Sequence, residues 1–118
     1  MRVNVALGLA AAVLLLAPTA GHAGDPPAEK LYETYCVQCH GLKRNGTGVN
    51  LPGLSVKPRD HTDTKGMGAT PDSELFKAIK EGGLSVNKSV LMPAWGGVLT
   101  DPEIHSLVKY LRKVCHCG

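Results

Sequence analysis

Aromatic side chains are scarce in this sequence: one Phe, one Trp and three Tyr among 118 residues. Aromatics supply much of the buried area of small domains. With so few, the core is thin, and something other than aromatic side chains must fill the interior. A surplus of one charge is also lacking. Thirteen Lys and Arg against ten Asp and Glu give a formal net charge of +3. No basic run is interleaved with aromatics, so the footprint of a nucleic-acid binder is absent. The apolar run Val5 to Ala17 has 13 residues, whereas a membrane-spanning helix needs about 20. No alternating strand pattern and no internal repeat is found, which leaves one small all-α domain.

The N-terminal residues Met1 to Ala23 have the organisation of a secretory leader. Arg2 supplies the positive start, the short apolar run follows, Pro18 ends it, and Gly21-His22-Ala23 places small residues where a signal peptidase reads. Cleavage after Ala23 would leave a domain of residues 24–118 in an exported, periplasmic compartment; retention as an anchor is the alternative. Within the domain three helices are predicted. The first runs from Pro26 to about Cys39, with Leu31, Tyr32 and Tyr35 at helical spacing. The second runs from Pro71 to about Glu81, with Thr70 as N-cap and Gly82-Gly83 as the stop. The third runs from Asp101 to about Val114, opened by a capping box in Thr100-Asp101-Pro102-Glu103 and striped by Ile104, Leu107, Val108 and Leu111. Residues 41–70 and 82–99 read as long loops, which in a compact domain generally wrap around something.

The chemistry is concentrated in Cys36-Val37-Gln38-Cys39-His40. Three functions compete for it. With Cys115 and Cys117 it could hold zinc through four thiolates, but the C-x-C half is poorly spaced and His40 is left unexplained. A thioredoxin-like dithiol needs a preceding strand, and the pattern before Cys36 is helical. A covalently attached haem accounts for every residue: two thiols three apart, on neighbouring turns at the end of a helix, add to the two vinyl groups, and the adjacent imidazole ligates the iron. A haem is also large, flat and mostly apolar, and would fill the thin core.

His40 takes one axial position of such a haem. For the other, Met92 is preferred over Met67, His61, His105 and His116. It lies in the apolar loop Val90-Leu91-Met92-Pro93-Ala94-Trp95, where Pro93 restrains the backbone and Leu91, Ala94 and Trp95 can shield the thioether. Met67 lies in a polar Gly-flanked stretch. His105 is expected on the helix surface, and His61, between Asp60 and Thr62-Asp63, is expected to be solvated.

At this point the sequence resembles a class I monohaem cytochrome c over nearly all of Gly24 to Leu111. Tyr32 stands four residues before Cys36 and Ala28 eight before, where the family's N-terminal helix crosses the C-terminal one; Tyr110 matches the aromatic on the other helix. Ala28 replaces the commoner glycine. The resemblance implies three main helices and long loops wrapped around one covalent haem c, with its iron ligated by His40 and Met92. It further implies that the Pro52 carbonyl accepts from the His40 ring and that Leu54 packs on the haem. Arg59, Lys57 and Trp95 are candidates for neighbours of the haem propionates.

Two strong axial ligands would leave the iron no open site, which suits an electron carrier and not an enzyme. The expected function is therefore single-electron shuttling between redox protein donors and acceptors, by a monomer with no small-molecule substrate and no nucleic-acid partner. The alternative is a small haem enzyme or haem-based sensor whose sixth ligand is displaceable. The terminal Cys115-His116-Cys117 lies outside the family pattern. A local disulfide, an intermolecular bridge, a weak copper or zinc site and an incidental pair of thiols all remain open for it.

Overall fold

In a computed structural model of the protein, described over residues 26–118, five helices and two 3₁₀ turns follow one another, with no strand among the described residues. The leader expected over Met1 to Ala23 lies outside the described residues. The first predicted helix is divided in two. Helix α1 spans Ala28–Tyr35 and α2 spans Val37–His40, with Cys36 at the break at φ −113°. A 3₁₀ turn covers Leu51–Gly53. Helix α3, Thr64–Gly68, was not foreseen in the long loop; the Asp63 side chain caps it by accepting from the Gly66 N–H.

Helix α4 spans Asp72–Glu81. Its N-cap is Pro71, and no side chain caps it, contrary to the role expected of Thr70. The Thr70 hydroxyl instead donates to the carbonyl of Gly66. The preceding turn of chain thus uses the hydroxyl before α4 can. A second 3₁₀ turn, Gly83–Val86, follows. Helix α5, Asp101–Val114, has the boundaries expected for it. Thr100 accepts from the Glu103 N–H while the Glu103 carboxylate accepts from the Thr100 N–H, which satisfies two donors that an open helix end leaves free.

The core lies where α5 meets α1 on one side and α4 on the other. Leu31 and Tyr32 of α1 are buried with Ile104, Leu107, Val108 and Leu111 of α5, joined by Ile79 of α4 and by Leu99. Burial of each aliphatic side chain contributes roughly 1.5–3 kcal/mol, so the stripe of α5 is the main apolar support of the fold. The crossing of α1 and α5 is aromatic, as the resemblance implied. The Tyr32 and Tyr110 rings lie 5.4 Å apart at 52°, with Ala28 half-buried nearby on α1.

The Arg44 side chain binds this crossing from outside. Its Nε donates to the Tyr110 hydroxyl at 2.8 Å and its Nη2 pairs with Glu29 at 3.1 Å. Its guanidinium also sits 5.6 Å from the centre of the Tyr32 ring. Two residues beyond Tyr110, in the last turn of α5, Arg112 donates to the carbonyls of Met67 and Thr70, each at 2.6 Å, and to Asp72. This fastens α3 and the start of α4 to α5. The chain ends in a disulfide between Cys115 and Cys117. Cys115 is fully enclosed in the core, and its carbonyl accepts from the Thr64 hydroxyl. Of the states left open for the tail, the local disulfide is the one adopted.

Candidate functional site

The break at Cys36 sets the geometry of the site. The carbonyl of Cys36 accepts from the N–H of Cys39 at 3.2 Å and of His40 at 2.9 Å, so the two thiols and the imidazole share one turn. Both thiols are free and half-exposed. Burial, with Cys39 adding to it, pushes the Cys36 thiol up to about 12. The four-thiolate zinc set is broken, since Cys115 and Cys117 are bonded to each other. Among the described residues no three His, Cys, Asp or Glu side chains converge as a metal cluster.

The segment after His40 folds back along α2. The N–H groups of Gly46, Gly48 and Asn50 donate to the carbonyls of His40, Cys39 and Gln38. Gly48 must lack a side chain here, because a Cβ would run into the backbone of Gln38 and Cys39. The Asn50 side-chain amide approaches the Cys39 sulfur at 3.7 Å.

His40 is buried, and its Nδ1 lies 2.9 Å from the carbonyl oxygen of Arg59. A carbonyl can only accept, so Nδ1 carries the proton and Nε2 keeps its lone pair. Burial lowers the pKa of this ring and keeps it neutral. It is therefore oriented and electronically ready to ligate a metal. The acceptor is not Pro52, as the resemblance implied. Pro52 is exposed on the first 3₁₀ turn, and the ring's partner comes from the later passage of the chain through Pro58 and Arg59. Leu54 is half-buried beyond that turn.

His61 was expected in solvent and is instead buried, at 9% exposure. Its ring stacks on that of His40, centroids 4.2 Å apart and planes 17° from parallel. Its Nδ1 lies 2.9 Å from the Tyr32 hydroxyl, and its N–H donates to the Arg44 carbonyl. Burial, then the neighbouring His40 and Arg59, holds its pKa well below the ordinary histidine range. His105 is exposed as expected, stacked on Phe76 at 4.4 Å.

The two methionines have different surroundings. Met67, on α3, is completely enclosed and belongs to the core. Met92 is half-buried and packs against the core's edge. Its loop hangs from the end of α4: the Met92 carbonyl accepts from the Gly83 N–H, and the N–H groups of Trp95 and Gly96 donate to Ile79 and Lys80. Gly83 permits this approach, since a Cβ there would strike the Ser89 carbonyl. The Trp95 ring lies 5.3 Å from that of Tyr35, tilted by 54°, next to Cys36, which brings the Met92 loop to the side of the molecule that carries the two thiols. The expected shielding is incomplete. Leu91 is 43% exposed and Ala94 is exposed, leaving Trp95 as the half-buried member of that wall. The side chains of Arg59 and Lys57 are exposed, with Arg59 Nη2 at 3.4 Å from the Thr70 hydroxyl.

Two free thiols on the turn before a neutral, oriented imidazole, with a thioether loop brought to the same side, fit the donor set of a covalently bound haem. The comparisons with known proteins agree. Residues 25–111 match the family described as cytochrome c oxidase, cbb3-type, subunit III. Among solved structures, the chain is similar to the KustC0563 c-type cytochrome, with 28% identity and a TM-score of 0.61 over 75% of this chain and 98% of that one.

Proposed function

The chain belongs to the c-type cytochrome family described by subunit III of the cbb3-type oxidases, and from that premise we propose that it is a periplasmic carrier of single electrons with His40 and Met92 as axial ligands. The family binds haem c covalently and uses its iron for electron transfer. In this reading the Cys36 and Cys39 thiols would form the two thioether links. Nε2 of His40 would bind the iron, with the Arg59 carbonyl holding the opposite ring edge, the place first given to Pro52. Met92 would supply the sixth ligand, with Trp95 and Leu54 as apolar neighbours and Arg59 as the cation nearest the propionates.

The observation that carries the proposal is the bond from His40 Nδ1 to the Arg59 carbonyl. It fixes the tautomer with Nε2 unprotonated, so no proton has to leave when the metal is bound. When bound, the haem supplies a one-electron couple. The protein's part is to hold both ligands in either oxidation state and to keep water away from the iron edge. Met92 is held through the backbone bonds that tie its loop to α4, so an electron can pass with little rearrangement. The donors and acceptors are other redox proteins, which a monomer of this size would meet through an exposed haem edge. The leader over Met1 to Ala23 would deliver the chain to the compartment where haem is attached. Among the described residues no helix is long and apolar enough to cross a membrane.

A haem enzyme or sensor draws support from the exposure of Leu91 and Ala94 beside Met92. Carbon monoxide separates the two functions. Addition to the reduced protein at neutral pH should leave the visible spectrum unchanged if the protein is a carrier, and rapid uptake would favour the displaceable ligand. Acid-acetone treatment tests the attachment itself: the pigment should stay with the chain in the wild type and be extracted from a Cys36→Ala, Cys39→Ala double variant.

A further inference from the structure

His40 is held twice by one short segment. The Arg59 carbonyl binds the edge of its ring at 2.9 Å, and His61, two residues on, covers its face at 4.2 Å. The two contacts restrain different motions. A hydrogen bond to Nδ1 fixes where the ring edge points but leaves the plane able to roll about that direction. A parallel ring against the face removes that roll. The restraint is effective only if the second ring is itself fixed. His61 is buried, its backbone N–H donates to the Arg44 carbonyl at 2.8 Å, and its Nδ1 meets the Tyr32 hydroxyl at 2.9 Å. Tyr32 is fixed in turn. It is 1% exposed, lies against the Tyr110 ring, and is covered by the Arg44 guanidinium.

The neighbouring acids do not compete for His61. Both N–H and hydroxyl of Thr62 donate to the Asp60 carboxylate, and the Asp63 carboxylate accepts from Gly66.

We infer that His61 is a positioning residue for the axial imidazole, setting the plane of the His40 ring relative to the α1–α5 crossing through the chain Tyr32–His61–His40. The inference rests on His40 being the iron ligand. Residues outside the coordination sphere that orient a ligating histidine tune the metal through it. The plane of an axial imidazole governs how unpaired spin is distributed over the haem, so the order and spread of the haem-methyl proton resonances in the oxidised protein report it.

The test uses oxidised holoprotein and proton NMR, with wild type, His61→Phe, His61→Ala and Tyr32→Phe. The wild type must first show hyperfine-shifted His40 ring protons; their absence would end the ligand reading, whatever His61 does. With those protons present, His61→Ala should reorder the haem-methyl resonances, and His61→Phe, which keeps a flat ring on the same face, should retain the wild-type order. Tyr32→Phe should shift the resonances by more than their linewidths without reordering them. An unaltered pattern in His61→Ala overturns the inference, as does an equal disturbance in His61→Phe and His61→Ala. If His61→Ala yields no holoprotein, Tyr32→Phe decides: resonances at their wild-type positions there overturn the role of the chain.

Discussion

Arg44 and Tyr110 are 66 residues apart and joined by a 2.8 Å hydrogen bond. Through its pairing with Glu29 as well, Arg44 brackets the crossing of the first and last helices, and it adopts φ +59°. A non-glycine residue in that region is held there by its surroundings.

Removal of this bracket should weaken the fold. Arg44→Leu is expected to lower stability by about 1–2 kcal/mol, the range for a side-chain hydrogen bond lost in a partly buried place. Glu29→Gln should cost less than about 0.5 kcal/mol, because its carboxylate is 64% exposed and solvent screens the pair. Guanidinium unfolding of the two holoproteins measures both, and equal losses would contradict the ranking.

The two methionines should separate cleanly. Met92→Ala is expected to abolish the long-wavelength sulfur-to-iron band of the oxidised protein, lower the potential and open the iron to cyanide. Met67→Ala should keep the band yet lose about 2–5 kcal/mol of stability, since the side chain is fully enclosed in the core. Loss of the band in Met67→Ala with its retention in Met92→Ala would move the sixth ligand to α3.

Tyr32 gives the protein an alkaline limit. Burial is the main cause raising its pKa above the ordinary value, Arg44 opposes, and Cys36, Tyr110 and Asp60 add to the rise. A group whose folded pKa is raised contributes stability that is complete below its unfolded pKa, near 10, and is lost as the pH climbs above that value. Stability should therefore decline above about pH 10, and the decline should be shallower in Tyr32→Phe. Parallel curves of midpoint against pH would show that another group sets the limit.

The tail should matter to stability and not to colour. The Cys115–Cys117 ring is among the smallest a disulfide can close, and the chain-entropy relation gives roughly 1–2 kcal/mol for it. The double replacement by alanine should lower the melting temperature, leave the visible spectrum unchanged, and leave a single monomeric band on a non-reducing gel, because the wild-type pair is internal. A dimer in the wild type would assign the cysteines to an interface.

Legibility in the sequence follows where each residue's partners lie. Helix α5 could be read to its ends, because Thr100 and Glu103 cap each other locally and the apolar stripe repeats along one element. The thiols and His40 were legible for the same reason: their relation is confined to one turn. His61 was misjudged from its flanks. Asp60 and Asp63 looked like signs of solvation, yet each carboxylate is engaged by its own turn, at Thr62 and Gly66, while the imidazole between them turns inward. Pro52 was misplaced because the carbonyl that meets His40 belongs to Arg59, 19 residues on, and its approach depends on the path of the intervening loop, which no spacing rule records. The short helix α3 went unseen because its support is Arg112, distant in the chain.

The suspension of residues 92–96 from the last turn of α4 has a dynamic consequence. Three backbone bonds, from Gly83, Trp95 and Gly96, make the loop and the helix end one body. Opening one requires opening the other, so their amides should exchange with solvent as a single cooperative unit. The backbone of the loop cannot then move away privately. If Met92 is the sixth ligand, as proposed, any departure of its sulfur that needs the loop to move would be a partial unfolding of α4, and the strength of the helix would enter its rate.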